Sequence, residues 1–267
     1  SASFNHPQGL TLDNHLLYVA DTENHLIRRV NLINKQVETV AGTGQQSRSY
    51  YQEGQSVEIA LNSPWDLKLI GNLLFIAMAG SHQIWLMDTE SQMIGPFAGT
   101  GAEACMDGSV ESAAFAQPSG LAFDGQHLYI ADSEISSIRA INLTEEPTVV
   151  SVVGSCHLFG FGDVDASRQD VRLQHPLGIE VVDNCLYIAD TYNHKIKVVD
   201  LKTVSCKTVF GDGKGLEDGQ NAKFYEPSGL SILGRKLYIA DTNNHAIRVA
   251  DLNTKEVKTL EIIGLES

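Results

Sequence analysis

Histidine recurs at one position of a repeating pattern in this chain, and imidazole is the side chain that proteins use most often to bind metal ions. The four recurring residues are His25, His82, His194 and His245, and three of them directly follow an asparagine. Imidazole nitrogens that converge at about 2.1 Å on one ion would form a zinc site. Whether these four converge depends on the elements that carry them.

A second group of candidate residues lies in a segment where the pattern changes. Trp65 and Asp66 interrupt a Pro-x-Gly motif, and Trp85 stands where the other copies have Arg or Lys. Either the packing of this segment is specialised or a binding site is present. The candidate binding residues are therefore Trp65, Asp66, His82 and Trp85. No Ser-His-Asp spacing, phosphate-binding loop or paired-carboxylate motif accompanies them, so no catalytic residue is assigned.

The four cysteines show no zinc-binding spacing. Cys185 and Cys206 lie in strand-like segments, which favours small buried side chains. Cys105 and Cys156 lie in equivalent loops of neighbouring copies, where they could form a disulfide or stay free. The sequence leaves both states open.

The acidic composition limits the classes of partner. The chain has 19 basic and 33 acidic residues, which gives a formal charge of −14. Because nucleic-acid affinity comes largely from Lys and Arg side chains that neutralise phosphates, nucleic acid is disfavoured as a partner, and so is an anionic membrane surface. No apolar run approaches the roughly 18 residues of a membrane helix, and the first residues show no signal-peptide pattern. The expectation is a soluble cytoplasmic protein, with a periplasmic or extracellular location left open.

The candidate residues belong to a unit that recurs five times. Each copy begins at a proline and reaches, 13 residues later, the alanine of an aromatic-aliphatic-Ala triplet. The prolines are Pro7, Pro64, Pro118, Pro176 and Pro227. A period near fifty residues predicts a propeller or an array of repeats. The predicted blades span about residues 4–42, 61–99, 115–154, 173–211 and 224–264 of a single domain, 1–267.

Each unit predicts four short antiparallel strands, which in the fourth copy cover residues 176–182, 185–190, 194–200 and 206–210. Strands of this kind predict an all-β propeller of four-stranded blades around one axis. Antiparallel order places the turn between the second and third strands on the same face as the long connection between blades. These connections vary in length, so their face is the predicted binding face. Their acidic residues form either a solvated rim or an attraction for a basic partner.

A ring of blades separates the four histidines, because equivalent residues of successive blades are spread around the axis. The histidines are therefore predicted to hydrogen-bond their own turn or the neighbouring blade, and no metal site is assigned. The aspartates that precede these turns are predicted to cap backbone N–H groups. They are Asp21, Asp132, Asp190 and Asp241.

The runs 21–28, 190–197 and 241–248 resemble the NHL repeat, which builds β-propellers. The irregular runs 63–66, 77–80 and 82–85 are similar, more closely, to the family of NHL repeat-containing protein 2 and its bacterial thioredoxin-fused relatives. In that family a thioredoxin-like domain precedes a six-bladed propeller. The resemblance therefore implies either a five-bladed propeller here or most of a six-bladed ring.

The variable loops on one face, the divergent tryptophan copy and the lack of a catalytic constellation predict a non-catalytic scaffold that binds a protein or ligand through its loop-rich face. The resemblance implies that it is part of a larger thioredoxin-like/NHL protein. The partner would be another protein or another domain of the parent chain. Related propellers include calcium-dependent lactonases and a zinc-dependent lyase. The alternative is thus a metal-dependent hydrolase or lyase with calcium or zinc in the central channel. The oligomeric state is not indicated.

Overall fold

Five antiparallel sheets of four sequential strands form the chain in a computed structural model that describes residues 2–262. Blade 1 contains β1 Pro7–Asp13, β2 Leu16–Asp21, β3 Leu26–Asn31 and β4 Val37–Ala41. The short strand β5 Gly54–Gln55 extends blade 2, which contains β6 Pro64–Ile70, β7 Leu73–Met78, β8 Gln83–Asp88 and β9 Met93–Ala98. The short strand β10 Gly108–Ser109 extends blade 3, which contains β11 Pro118–Phe123, β12 His127–Asp132, β13 Ser137–Asn142 and β14 Thr148–Val153.

The last two blades repeat the plan. Blade 4 contains β15 Pro176–Val182, β16 Cys185–Asp190, β17 Lys195–Asp200 and β18 Ser205–Phe210. Blade 5 contains β19 Pro227–Leu233, β20 Lys236–Asp241, β21 Ala246–Asp251 and β22 Val257–Thr259. The first strand of each blade lines a central channel, so the predicted five-bladed β-propeller is confirmed. The predicted end of blade 5, at residue 264, lies outside the described residues. Within residues 2–262, no helix has the length and apolar character needed to cross a membrane.

The turn between the second and third strands has one backbone geometry in four blades. A three-residue 3₁₀ helix is followed by a histidine in the left-handed region, with φ between 51° and 58°. The helices are Thr22–Asn24, Ala79–Ser81, Thr191–Asn193 and Thr242–Asn244, and a fifth, Arg168–Asp170, lies in a loop. In blade 3 the turn has no assigned helix, and Ser136 takes the left-handed position at φ 49°. Such a residue reverses the chain sharply, so the third strand starts directly beside the second.

Apolar side chains pack between neighbouring blades in four clusters. Between blades 1 and 2, for example, Tyr18 and Ile27 pack against Leu61, Leu67 and Ile76, and all five are buried. Each of the first four blades therefore presents the aromatic residue and alanine of its second strand to the next blade. A blade with two neighbours thus packs one apolar face against the preceding blade and the other against the following blade. This packing stacks the sheets around the axis.

The face of blade 1 that points away from blade 2 is more exposed than the corresponding faces of the other blades. Phe4 is 38% exposed, whereas the equivalent residues Leu61, Phe115, Leu173 and Phe224 are fully buried. Within residues 2–262, no hydrophobic cluster joins blade 5 to blade 1. Four interfaces of one type thus connect five blades, and the outer faces of the first and last blades are not packed in this way.

The long connections between blades lie on the face that the strand order predicts. Asn193, in the second turn of blade 4, donates to the Gly162 carbonyl at 2.6 Å, and Asn244 of blade 5 donates to the Gly215 carbonyl at 2.7 Å. Gly162 and Gly215 belong to the connections that precede those blades. We call this side of the propeller the loop face.

Candidate functional site

The recurring histidines join neighbouring blades. The Nδ1 atom of His25 accepts the backbone N–H of Ser63 at 3.1 Å, and His82 accepts that of Gln117 at 3.1 Å. His194 accepts the N–H of Glu226 at 3.2 Å. An Nδ1 atom that accepts a hydrogen bond carries no proton, which fits the lowered pKa that burial gives His25. The three imidazoles act as hydrogen-bond acceptors and are spread around the ring.

In blades 1, 3 and 4, a hydroxyl group of the turn makes a second bond to the neighbouring blade. Thr22 donates to the Pro64 carbonyl at 2.7 Å, and Thr191 donates to the Pro227 carbonyl at 2.8 Å. In blade 3, Ser133 donates to Pro176 at 2.6 Å. The turn of one blade and the proline of the next blade thus meet at each of these contacts.

The buried aspartates cap backbone N–H groups within their own blades. Each accepts, at 2.6 to 2.7 Å, the N–H of the residue two positions before the blade's proline. The four aspartates are Asp21, Asp132, Asp190 and Asp241, and all are fully buried. Burial raises the pKa of Asp132 to about 7, and the Arg139 charge opposes that rise.

In blades 3, 4 and 5, the cation of the third strand ties the aspartate to the preceding loop. In blade 3, Arg139 lies 3.1 Å from Asp132 and 2.7 Å from Asp107 of the loop. Asp107 also accepts the backbone N–H of Ser151 at 3.0 Å and its hydroxyl at 2.9 Å. We call this set of loop carboxylate, third-strand cation and fourth-strand hydroxyl the loop clasp.

Blades 4 and 5 contain the same clasp. The loop carboxylate lies 2.7 Å from the third-strand cation in both blades and also accepts a fourth-strand threonine. The residues are Asp165, Lys197 and Thr208 in blade 4, and Asp218, Arg248 and Thr259 in blade 5. These loop carboxylates are therefore paired with cations of the same chain. Part of the acidic charge of the loops is thus not available to a basic partner.

Blade 2 has an apolar set at these positions. Met78 and Trp85 replace the aspartate and the cation, and they are 0% and 1% exposed. Trp85 pairs with Pro96 on the fourth strand, and its Nε1 donates to the Gln83 side chain at 3.1 Å. The side chain of Trp85, one of the predicted binding residues, therefore fills the core between blades 1 and 2.

Trp65 and Asp66 lie on the wall of the central channel, away from Trp85. Asp66 occupies the position of the repeat's glycine and accepts the N–H groups of Leu67 and Leu121, each at 2.8 Å. Leu121 belongs to blade 3, so the carboxylate links two inner strands. Burial raises the pKa of Asp66 to about 7, although both N–H groups favour the ionised form.

The channel encloses a cavity of about 470 Å³, lined by the first strands of all five blades. Lys68 of blade 2 reaches across it to Glu180 of blade 4, with 3.9 Å between Nζ and Oε1. Among the residues described here, no three His, Cys, Asp or Glu side chains cluster as metal ligands. Trp65, Asp66 and His82 do not meet at one point, because His82 lies at the contact between blades 2 and 3.

Cys105 and Cys156 form a disulfide between two connections of the loop face, with a Cα–Cα distance of 5.6 Å. Cys185 and Cys206 are free. Cys206 is buried as its strand pattern predicts, whereas Cys185 is partly exposed, so the prediction of burial is wrong for Cys185. Of the two states that the sequence left open for Cys105 and Cys156, the structure has the bonded one.

Sequence comparisons agree with this geometry. The NHL repeat profile matches residues 4–29 and 224–250, which contain the histidine turns of blades 1 and 5. NHL repeat-containing protein 2 of Homo sapiens is 41% identical over 306 residues that include 100% of this chain. The chain is an NHL-repeat β-propeller.

This NHL propeller spans 42% of the length of that human relative. Protein SUPPRESSOR OF QUENCHING 1, chloroplastic, of Arabidopsis thaliana is 42% identical over 284 residues, which cover 99% of this chain and 27% of the relative. The propeller therefore matches less than half of each of these longer relatives.

Solved structures share the fold of the NHL propeller. A chain of the nidogen/laminin complex aligns with a TM-score of 0.67 and 17% identity, over 97% of this chain and 81% of its own length. Streptogramin B lyase aligns with a TM-score of 0.60 and 12% identity, over 99% of this chain and 72% of its own. At these identities the likeness concerns the fold alone.

The most exposed aromatic side chains of the NHL propeller were not among the residues selected from sequence. Tyr51 is 71% exposed and Phe159 is 91% exposed, and both lie in connections between blades. Tyr50, Met106, Leu158 and Phe161 of the same connections are between 44% and 52% exposed. In the sequence, these residues are aromatic positions in otherwise polar loops. They lie outside the repeat pattern that indicated the candidate binding residues.

Proposed function

We propose that this propeller is a non-catalytic scaffold whose loop face binds another protein or another domain of a longer parent chain. The observation that supports this most is the concentration of exposed apolar side chains on the connections between blades, from Tyr51 to Phe159. Exposed aromatic side chains in clusters are typical of protein-binding surfaces.

The loop clasps give this surface a fixed base. Asp107, Asp165 and Asp218 each hold their loop to the third and fourth strands by three or more polar contacts. A loop that is held at its base loses less conformational freedom when its tip binds a partner. The apolar tips can therefore contribute to affinity without a large ordering cost.

Site-specific photo-crosslinking tests the proposal. Benzoylphenylalanine would replace Tyr51 or Phe159 on the loop face, and Ile33, which is 75% exposed on the opposite face, would be the matched control. We expect one defined product from both loop-face positions in cells that express the full parent protein, identified by mass spectrometry. If the partner binds to the loop face, the control position Ile33 should give no such product. Equal labelling from all three positions would contradict the proposal.

The second candidate is a hydrolase or lyase with calcium or zinc in the channel. The observation in its favour is the 470 Å³ cavity with Asp66, Lys68 and Glu180 on its wall, since pockets of about 300–1,000 Å³ commonly bind small molecules. Asp66 and Glu180 are the carboxylates that would meet a cation there. Elemental analysis after dialysis without chelator tests this candidate. One calcium or zinc per chain that Asp66→Asn removes would support it, and a metal content below one-tenth of an equivalent would count against it.

The location and the partners are part of the proposal. We infer a cytoplasmic protein, although the Arabidopsis relative carries a chloroplastic name. Nucleic acid is disfavoured by the charge of −14. The partner is expected to be a protein surface that buries Phe159 and its neighbours.

A further inference from the structure

The Cys105–Cys156 disulfide joins the two connections that flank blade 3 on the loop face. Both cysteine residues are partly exposed, whereas burial raises the pKa of the free Cys206 thiol to about 12. Thiol chemistry requires access and a thiolate. Cys185 is also partly exposed but is a free thiol, so Cys105–Cys156 is the disulfide that an attacking thiolate can reach.

The disulfide is not needed to hold the loop clasp. Ser151 Oγ lies 3.1 Å from Cys156 Sγ and 3.7 Å from Cys105 Sγ, so the disulfide borders the clasp of blade 3. Blades 4 and 5 have the same clasp with Asp165 and Asp218 and no disulfide beside it. The two unlinked clasps show that the fold reaches this geometry without a covalent bond, which favours a functional role for the disulfide.

An exposed apolar turn follows Cys156 directly. Gly160 N–H donates to the His157 carbonyl at 2.8 Å, and this turn leaves Phe159 91% exposed and Leu158 46% exposed. Met106, which follows Cys105, is 52% exposed. Apolar side chains thus adjoin both cysteines, as a protein that docks over the disulfide would require.

We propose that the Cys105–Cys156 disulfide is a reducible site for a thiol–disulfide oxidoreductase, which docks on the turn that carries Phe159. A thiolate of the partner attacks one sulfur, the S–S bond breaks, and the other sulfur leaves as a thiolate that takes a proton from water. The second thiolate of the partner then breaks the mixed disulfide. Two electrons pass to this chain, whose disulfide becomes a dithiol, and the partner's dithiol becomes a disulfide.

Reduction removes the covalent link between the connections 99–117 and 154–175, which both belong to the loop face. The consequence for partner binding rests on the proposed function, whereas the exchange reaction does not. Disulfides are rare in the cytoplasm and are usually transient there. A cytoplasmic location therefore predicts that this disulfide cycles between two states.

The test compares two reductants on the oxidised full chain. One is thioredoxin kept reduced by its reductase and NADPH, and the other is dithiothreitol; quenched alkylation and intact mass report the thiols formed. We expect thioredoxin to react about tenfold or more faster per dithiol than dithiothreitol, because it docks before exchange. Phe159→Ser should slow thioredoxin by about fivefold and leave the dithiothreitol rate within about twofold.

Ile33→Ser is the matched control, since Ile33 is 75% exposed on the face opposite the loop face. Its rates with both reductants should equal those of the unchanged protein. Equal rates with thioredoxin and dithiothreitol would overturn the proposal, as would a Phe159→Ser effect of the same size on both reductants. A chain with four alkylatable thiols after air oxidation would also overturn it. No scaffold partner enters these measurements, so a failed scaffold function would leave their outcome unchanged.

Discussion

Blades 2 and 3 have different residues at four equivalent positions, and three of the four pairs differ in polarity. Blade 2 has Leu61, Met78, Trp85 and Pro96, whereas blade 3 has Phe115, Asp132, Arg139 and Ser151. In both blades the residues at the second and third of these positions are at most 1% exposed. The fold therefore accepts either a buried ion pair or an apolar pair at one place in its interior.

The buried ion pair and the apolar pair differ in their contacts to the connection that precedes the blade. A buried ion pair is a weak source of stability because its desolvation cost offsets much of the attraction. Arg139, however, also binds Asp107 and the Met106 carbonyl, so it anchors the incoming connection. In blade 2 that connection is held instead by Gln83, whose side chain donates to the Tyr50 carbonyl at 3.1 Å. The ion pair is thus best understood as an anchor for the loop face.

Breaking the ion pair should have the largest effect. Arg139→Met leaves Asp132 buried without its cation, and we expect the free energy of unfolding to fall by about 3 kcal/mol at pH 7. Urea unfolding followed by tryptophan fluorescence measures it. Arg29→Met is the control, because Arg29 pairs with Glu38 at 2.7 Å on a partly exposed surface. That change should cost less than about 1 kcal/mol, and equal losses would show that burial of the pair is unimportant.

Converting blade 3 to the blade 2 set should restore most of that loss. The variant combines Phe115→Leu, Asp132→Met, Arg139→Trp and Ser151→Pro. Apolar replacement of a whole buried pair is often neutral, so we expect stability within about 1.5 kcal/mol of the unchanged protein. Met78 Sδ accepts the Asn62 N–H at 3.4 Å, and the methionine introduced by Asp132→Met would accept the Ala116 N–H in the same way. A quadruple variant no more stable than Arg139→Met would mean that the two sets are not interchangeable.

The strands could be predicted closely from sequence, because alternation and turn residues are local signals. In blade 4 the predicted 185–190 is Cys185–Asp190, and the predicted 206–210 is Ser205–Phe210. The burial of Trp85 could not be predicted in this way. Its equivalents are charged, which suggested an outward position, yet Arg139 is itself fully buried. The clasp depends on a contact between Asp107 and a residue 32 positions away, and no local pattern specifies it.

A carboxylate of the channel and a carboxylate of a loop clasp should respond to pH in opposite directions. The folded pKa of Asp66 is raised to about 7, so its contribution to stability is greatest in acid and is lost as pH rises from about 4 to 7. Asp66→Asn should therefore gain about 2 kcal/mol relative to the unchanged protein between pH 5 and pH 8.

Asp218 of the blade 5 clasp should show the reverse. Burial acts to raise its pKa, but the bonds from Thr259 and Arg248 outweigh burial and lower it. Its contribution is present above the unfolded value and is lost as pH falls through the folded pKa. Asp218→Asn should then be destabilising at pH 7 and nearly neutral in strong acid. Parallel urea titrations of both variants from pH 3 to pH 8 check the signs, and two slopes of the same sign would contradict them.

Removal of the hydrogen bond that the turn makes to the next blade should cost the same in blades 2 and 3. Of the changes considered, it should have the smallest effect on stability. His82 of blade 2 accepts the Gln117 N–H at 3.1 Å, and Ser136 of blade 3 accepts the His175 N–H at 3.2 Å. Substitution of either by alanine removes one hydrogen bond between blades and should cost about 1 kcal/mol. His245→Ala is the control, because His245 is exposed and its loss should change stability by less than about 0.5 kcal/mol. If His82→Ala cost much more than Ser136→Ala, the difference between the blades would extend from the buried pair to the turns, and the two could no longer be treated as one scaffold with a single exchanged core.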